Sequence, residues 1–499
     1  MLPDRHPVDP SPRLDSLVRG APASRPVKKL LAWVFGILLF LLAVVIGALL
    51  WFHIPSNAAG ISAKSVCSAY FVAGRDQDGR DLFAEDVLPA SGVLQVVSTD
   101  IDVENRSVTS RFLGMFPRTA SLVTDRGCVL DLPADPTATP YKTSSQAGAW
   151  PSGDTPSVLT PGVDQEALDR AIDAAFVGAG DVDGANARGV AVVQGDRLVA
   201  LREADGFTDG TALHGWSMTK TVAAMLTYAI MQEKGLTVDT KVVDAFPAGK
   251  EPGWVAAWRS DNRKDITLGH LLRMLDGLKN SESYDPWGAV PQMLYGQQDM
   301  ATWAAEHPSE VPPGERFQYL SATSNILAAV MRAQFDSDAE YWAYPKTRLF
   351  DPMGLESATL ETDTDGTWVG SSYLWASAAD WTRLGRLMLD DGQWQGQQLL
   401  PSGWFELATE PALPQGEGRQ YGASAWLIGD PEVGDCKDNP DVPADTVAME
   451  GHWGQIVAMV PSKDAVVTRL GWTTSSDAFD ECAFLGSVLA ALPDKAAAR

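Results

Sequence analysis

The feature that most constrains the fold is an uninterrupted apolar segment at residues 30–52, LLAWVFGILLFLLAVVIGALLWF. It contains no charged residue. As a helix rising about 1.5 Å per residue, it is long enough to cross the hydrocarbon core of a bilayer with some tilt. A buried helix of a globular domain is rarely apolar on every face over this length. The segment therefore predicts a single transmembrane anchor.

The residues before this segment indicate its orientation. They include Arg5, Arg13, Arg19, Arg25, Lys28 and Lys29, against Asp4, Asp9 and Asp15. The positive-inside rule then predicts a basic cytoplasmic tail at 1–29, an anchor at 30–52 and export of everything that follows. A cleaved signal peptide is the alternative, favoured by the small residues of Asn57-Ala58-Ala59, although its apolar region would usually be shorter.

The four cysteines all follow the apolar segment, as expected of an exported chain. Two disulfides are possible, and we favour Cys67–Cys128 with Cys436–Cys482, because each pair joins positions within one region. Four free buried thiols are the alternative. No Cys-x-x-Cys or His-x-x-x-His spacing occurs, so the sequence gives no support for a metal site, and no cofactor is expected.

Charge and composition exclude some partners. The net charge of -25 argues against nucleic-acid binding, which requires clustered Lys and Arg. The chain is 45% hydrophobic and 21% charged, as in ordinary globular proteins. The oligomeric state is left open.

The exported part divides into three regions by pattern. Residues 53–132 predict a small strand-rich segment, and residues 133–164, rich in Pro, Ser, Thr and Gly, predict a linker or irregular crossing. Residues 165–499 contain two predicted hairpins, at 189–203 and 455–470, separated by helical patterns. This order predicts an α+β domain, an antiparallel sheet flanked by helices with a helical subdomain.

The stretch LHGWSMTKTVAAML at 213–226 places Ser217 and Lys220 three residues apart where a helical pattern begins. On a helix these side chains share a face, so Lys220 can act as the base for a Ser217 nucleophile if burial keeps its amine neutral. The alternative is a serine N-cap followed by an ordinary surface lysine.

Two further motifs supply groups that such chemistry requires. Tyr319 follows a Pro-Pro-Gly turn in VPPGERFQYLSATSNILA and can pass a proton to a leaving group, whereas a buried structural tyrosine is the alternative. In EGHWGQIVAMV, the backbone N–H of Gln455 can face that of Ser217 across a substrate carbonyl, as a two-donor oxyanion hole.

Taken in order, Ser217-Met-Thr-Lys220, Tyr319-Leu-Ser321 and His452-Trp-Gly454 resemble the β-lactamase-related serine hydrolases. This superfamily includes class C β-lactamases, penicillin-binding proteins and esterases. The Tyr-x-Ser form is most similar to the 6-aminohexanoate-dimer hydrolase branch. The resemblance, over about residues 165–495, implies that Ser217 is acylated, Lys220 is its base and Tyr319 the acid/base.

The same resemblance suggests which residues face the substrate. It implies a substrate-facing role for Tyr284, for which a core aromatic is the alternative. His452, Trp453 and Gly454 are expected beside the pocket, with glycine permitting close approach of a ligand.

Two departures from the family pattern indicate the substrate. Position 452 is His where lactam-recognising members carry Lys, and position 321 is Ser where class C enzymes carry Asn. A permanent cation is therefore missing, which favours neutral esters or amides over penicillins. The rival hypotheses are a non-catalytic binding protein on this fold and a true β-lactamase or D-alanyl peptidase.

Overall fold

A computed structural model describes residues 25–87, 92–144, 146–157, 160–178, 184–475 and 477–495. The chain forms two compact units that divide between Phe52 and His53. In the first, helix α1 spans Arg25–Trp51, and its portion Lys29–Trp51 is long and apolar enough to cross a membrane. Residues 1–24 of the predicted basic tail lie outside the described residues.

The second unit begins with helices where we predicted strands. Helix α2 spans Ile54–Cys67, continues as a π-helical turn over Ser68–Val72 and is followed by α3, Gly79–Asp86. The expectation of strands within residues 53–132 is wrong as far as these helices extend. The reason is that α2 is made mostly of small side chains and is buried on nearly every face, so it shows no apolar stripe of helical period.

The predicted strands of this segment begin at residue 97. They form an antiparallel meander in the order β1-β2-β3-β4. Its strands are β1 Val97–Asp102, β2 Ser107–Phe112, β3 Met115–Val123 and β4 Gly127–Leu130.

The central sheet of the second unit is antiparallel and contains both predicted hairpins. Its strand order is β12-β13-β14-β5-β6, so the last three strands add to the edge of the first hairpin. Its strands are β5 Ala187–Gln194, β6 Arg197–Glu203, β12 Val447–Gly451, β13 Gln455–Val460 and β14 Ala465–Gly471. The short strands are β7 Leu213–His214, β8 Thr359–Leu360, β9 Leu374–Ala376, β10 Gln393–Trp394 and β11 Gln397–Gln398.

Helices cover both faces of this sheet, as the α+β prediction requires. Helices α4, Gln165–Ala175, and α15, Glu481–Ala490, pack their apolar residues on one face. Helix α13, Ala378–Leu389, lies on the other, where its Gly385 is so close to Val457 that a Cβ would lie 2.5 Å from a methyl carbon. The fold class is therefore confirmed.

The remaining helices form the helical part of the domain and include the one that carries Ser217. They are α5 Met218–Lys234, α6 Trp254–Trp258, α7 Leu268–Leu272, α8 Ala289–Gly296, α9 Met300–Ala305, α10 Ser321–Arg332, α11 Asp338–Pro345, α12 Asp351–Met353 and α14 Trp404–Thr409.

Each disulfide lies within one region, and a buried ion pair joins the leading segment to the hydrolase-like part of the same unit. The Cys67–Cys128 and Cys436–Cys482 pairs are both bonded, as predicted. Lys64 of α2 forms a fully buried ion pair with Glu361, whose carboxylate also accepts from the backbone N–H of Cys128. Between the leading segment and α4, the described residues of 133–164 form no regular helix or strand.

Candidate active site

Ser217 stands at the N-terminal end of α5, immediately before its first residue, Met218. Its side chain makes no capping hydrogen bond. Instead, the Nζ of Lys220 lies 2.9 Å from the Oγ of Ser217. Gly235 ends the helix in the left-handed conformation (φ 70°), as the sequence predicts. The geometry thus differs from that of a serine cap with a surface lysine.

The Lys220 side chain is held inside the protein. Its residue is 2% exposed, and Nζ also donates to the Oγ of Ser321 (3.0 Å) and to the carbonyl of Ser371 (3.1 Å). Burial lowers the pKa of Lys220 to about 8, while the negative charge of Glu282 opposes part of that lowering. A neutral amine is therefore accessible at mildly alkaline pH, as a general base requires.

Glu282 is a site residue that the sequence analysis missed. Its carboxylate accepts hydrogen bonds from the backbone N–H (2.6 Å) and the hydroxyl of Ser321, and through Ser321 it is connected to Lys220. Glu282 lies two positions before Tyr284, so proximity in sequence to that residue was the available signal. Ser321, noted only as a departure from Asn, connects the carboxylate to the amine.

Tyr319 is brought to the serine and lysine by the turn that precedes α10. The Nζ of Lys220 lies 4.7 Å from the centroid of its ring, and its hydroxyl interacts with that of Ser217. Burial raises the pKa of Tyr319 well above its usual value. The phenol is therefore protonated at neutral pH and able to donate a proton. Its ring also packs against Trp426, with centroids 5.0 Å apart.

Tyr284 also lies next to Ser217, and His452 lies against Tyr284. Their rings are stacked, with centroids 4.4 Å apart and planes within 7°. The hydroxyl of Tyr284 interacts with the hydroxyls of Ser217 and Ser321. Burial lowers the pKa of His452 to about 4, so the imidazole is neutral over the physiological range. Position 452 thus supplies no cation near pH 7.

The turn between β12 and β13 approaches the helix that carries Ser217. Gly451 pairs with Gln455 in the strand register, and a Cβ on Gly451 would lie only 2.2 Å from the carbonyl oxygen of Gly215. This contact requires glycine and holds the start of β13 next to the residues before Ser217. The backbone of Trp453 there is left-handed, with φ 64°, which is uncommon for a bulky residue.

Buried polar groups support this turn from behind. The side-chain amide of Gln455 donates to the carbonyls of His452 (3.0 Å) and Gly471, and Arg469 donates to the carbonyl of Gly454 (2.6 Å). Gly454, expected to approach a ligand, is left-handed (φ 77°), and a Cβ there would lie 2.7 Å from the guanidinium of Arg469. The sequence did not indicate Arg469, because its contact depends on strand pairing.

An apolar cavity of about 90 Å³ adjoins this group. Tyr284, His452 and Trp453 line it. The rest of the wall includes Trp216 and residues of α2 and α8. Tyr284 connects this cavity to the serine–lysine pair, since it lines the cavity and its hydroxyl interacts with Ser217.

His214 has a structural environment. It is stacked on Trp375 with ring centroids 4.6 Å apart, and its Nε2 lies 2.7 Å from the carbonyl oxygen of Ser372. Burial lowers its pKa to about 3. Within the described ranges, no cluster of three or more His, Cys, Asp or Glu residues is arranged to hold a metal ion.

The α+β fold and this site together define the class of β-lactamase-fold serine hydrolases. A family model described as Beta-lactamase matches residues 170–483, more than half of the chain, and the chain belongs to that family. The resemblance inferred from the three motifs is thereby confirmed. No curated protein matches the chain.

Solved structures of low sequence identity share the fold. A protein assigned as a beta-lactamase from Bacteroides dorei DSM 17855 is 18% identical, covers 66% of this chain and 97% of its own, and has a TM-score of 0.50. A family VIII carboxylesterase is 11% identical over 67% of this chain and 99% of its own, also at 0.50. A protein assigned as a 6-aminohexanoate-dimer hydrolase from Bacillus anthracis is 18% identical, covers 65% of this chain and 83% of its own, and has a TM-score of 0.47.

Proposed function

We propose that this protein hydrolyses an ester or amide through an acyl-enzyme on Ser217. The observation that carries the proposal is the 2.9 Å contact between the Oγ of Ser217 and the buried Nζ of Lys220, whose pKa burial lowers to about 8. A surface lysine beside a helix cap would keep its charge and provide no base.

In the proposed acylation step, the Oγ of Ser217 attacks the carbonyl carbon and its proton passes to Lys220. The backbone N–H groups of Ser217 and Gln455 donate to the oxyanion. When the intermediate collapses, Tyr319 gives its proton to the leaving atom and regains one from the Lys220 ammonium. Water then attacks the acyl carbon and gives a proton to Lys220, which passes it to the Oγ of Ser217 as the C–O bond to serine breaks and the acid is released.

The polarity of the site favours a neutral substrate. His452 occupies the position where a lysine would bind a substrate carboxylate, and its lowered pKa, about 4, leaves it uncharged near pH 7. A carboxylate-bearing β-lactam therefore gains no ionic contact from this residue. The family VIII carboxylesterase fold neighbour is consistent with ester hydrolysis as the proposed activity.

Labelling and turnover test the chemistry. We expect a fluorophosphonate to label the full-length protein at Ser217 and a p-nitrophenyl acyl ester to be hydrolysed, with both lost in Ser217→Ala. Ser260→Ala, at an exposed position, is the matched control and retains both. An adduct that persists in Ser217→Ala would contradict the proposal, as would ligand binding without turnover. Rapid acylation by a penicillin would instead support the lactam-hydrolase rival.

Tyr319→Phe tests the proposed proton donor. The substitution keeps the ring against Trp426 and removes the hydroxyl, so we expect kcat for an ester with a poor leaving group to fall about 10²- to 10⁴-fold. A p-nitrophenyl ester, whose leaving group needs little protonation, is expected to lose much less. Equal losses for the two esters would show that Tyr319 does not protonate the leaving group.

We also propose that α1 anchors the protein as a single-pass helix with residues 53–499 on the exported side. The length and apolar composition of α1 support the span, and the basic residues before it together with the oxidised cysteine pairs support this orientation. Protease added to spheroplasts of the producing cells is expected to degrade the 53–499 unit while membranes remain sealed. Protection of that unit from the protease would contradict the proposed orientation.

A further inference from the structure

One wall of the cavity beside Ser217 comes from α2, a helix that precedes the family-matched region 170–483. Ile54, Asn57, Ala58 and Ile61 line the cavity, and their spacing places them along one face of the helix. The leading segment therefore contributes directly to the surface available to a substrate.

Asn57 is the polar exception in the wall that α2 provides. The residue is 5% exposed, and neither its amide nitrogen nor its amide oxygen has a hydrogen-bond partner among the described residues. A buried amide without partners costs free energy, because it has lost its bonds to water without replacing them. A primary amide offers both donors and an acceptor, so its natural complement is another amide group.

We propose that this cavity binds the acyl chain of the substrate, a short aliphatic chain carrying one amide group that hydrogen-bonds to Asn57. The assignment rests on the proposed function, which places the scissile carbonyl at Ser217. Tyr284 joins the two regions, since its ring lines the cavity and its hydroxyl interacts with Ser217. Tyr319 packs elsewhere, against Trp426, so the leaving group departs on that side and the acyl chain occupies the α2 side.

The size of the cavity limits the chain. A volume of about 90 Å³ lined mainly by apolar residues accommodates several methylene-sized groups. Within such a chain, an amide facing Asn57 would satisfy both its own polar atoms and those of Asn57. A plain alkyl chain of the same length would leave the Asn57 amide unsatisfied.

Two p-nitrophenyl esters of equal chain length provide the test, those of N-acetyl-β-alanine and of hexanoic acid. We expect the wild-type protein to favour the N-acetyl-β-alanine ester in kcat/KM. In Asn57→Leu this preference should fall by about tenfold or reverse, because the partner of the substrate amide is gone. Leucine replaces an unpartnered buried amide, so the melting temperature should be unchanged or higher. Asn262→Leu, at an exposed position, is the control.

Ala58→Phe tests occupancy independently by filling the cavity. We expect the ratio of kcat/KM on each six-atom chain to kcat/KM on p-nitrophenyl acetate to fall at least tenfold below the wild-type ratio. Ala257→Phe adds the same side chain at an exposed helical position and should leave all three rates unchanged.

The outcomes separate this assignment from the proposed chemistry. If wild type hydrolyses all three esters through Ser217 without preferring the amide, or if Asn57→Leu keeps the wild-type preference, the acyl-chain assignment is overturned while the chemistry stands. Turnover of these esters that survives Ser217→Ala would overturn the proposed function itself. Parallel loss of acetate and long-chain activity in a folded Ala58→Phe protein would also contradict the assignment.

Discussion

At the scale of single residues, the surroundings of Lys220 determine what it can do. The same side chain on a surface helix would be an ammonium throughout the physiological range. Here it is buried against two serine hydroxyls and a carbonyl, and burial lowers its pKa to about 8. The lowered pKa of the proposed base thus depends on the residues packed around Lys220 as much as on the Ser-x-x-Lys motif itself.

This lowered pKa predicts the pH dependence of acylation. In the proposed mechanism the neutral amine is the active form, so kcat/KM should increase about tenfold per pH unit below about 8 and level off above it. At pH 6 we expect about 1% of the plateau rate, measured with a p-nitrophenyl ester after subtraction of background hydrolysis. Lys220→Arg, which stays charged, should be inactive at every pH. A flat profile between pH 6 and 9 would contradict the role of Lys220.

Glu282 should set the midpoint of that profile. Its negative charge favours the ammonium form of Lys220, so Glu282→Gln is expected to move the midpoint to lower pH. The same pH series measures this, with Glu306→Gln at an exposed position as the control. A midpoint that stays in place or moves upward would show that Glu282 acts on the site only through its hydrogen bonds to Ser321.

Sequence could indicate Ser217, Lys220 and Tyr319 because each stands in a local motif with a fixed offset from a helix start. It could not indicate the carbonyl of Ser371 or the guanidinium of Arg469, because these reach the site through tertiary contacts with no local signature. Candidate site residues can therefore be predicted from sequence where their spacing along one helix sets the geometry. They are missed where segments far apart in the chain come together.

At the scale of elements, α2 shows why a pattern of apolar and polar residues can mislead. Helix predictions rely on one apolar stripe, but α2 is surrounded by protein and uses alanine, serine and glycine to fit closely. By contrast, the two hairpins and α15 were predictable, because apolar strands around turn residues and a capped apolar helix leave local signals.

The buried pair of Lys64 and Glu361 should make α2 necessary for stability. Lys64→Met leaves the Glu361 carboxylate buried without its cation, which costs about 3–5 kcal/mol in the free energy of unfolding. Lys346→Met, which breaks an exposed pair with Asp351, should cost about 0–1 kcal/mol. Urea unfolding of the detergent-solubilised protein measures both. Similar losses in the free energy of unfolding for the two variants would show that the buried pair contributes no more to stability than the exposed one.

At the scale of the whole molecule, the leading segment and the hydrolase-like region form one compact unit rather than two. Composition alone suggested a linker at 133–164, because Pro, Ser and Thr are common in both flexible linkers and packed irregular chain. In the structure, buried Arg383 donates to the carbonyls of Pro151 (2.9 Å) and Gly153 (3.1 Å) and is paired with Asp154, which holds this crossing in place. Such contacts depend on the whole fold.

The two disulfides should stabilise this unit by restricting the unfolded chain. Cys67–Cys128 and Cys436–Cys482 close loops of 61 and 46 residues, for which the loop-entropy estimate is about 4 kcal/mol each. The double variant Cys436→Ala/Cys482→Ala should therefore unfold at clearly lower urea concentration. Thiol titration of the unfolded wild type should find none before reduction and four after it. Free thiols without reductant would contradict both pairings.

The short connection between α1 and α2 joins the proposed anchor directly to the proposed substrate cavity. Only Phe52 and His53 separate Trp51, the end of α1, from Ile54, which already lines the cavity. The small residues Asn57-Ala58-Ala59 that would attract a signal peptidase are inside the buried α2. A protease cutting there would have to unwind α2, and the released protein would lack Ile54 and Asn57 from the cavity wall. Release with the cavity wall intact therefore needs a cut before Ile54, at Phe52 or His53.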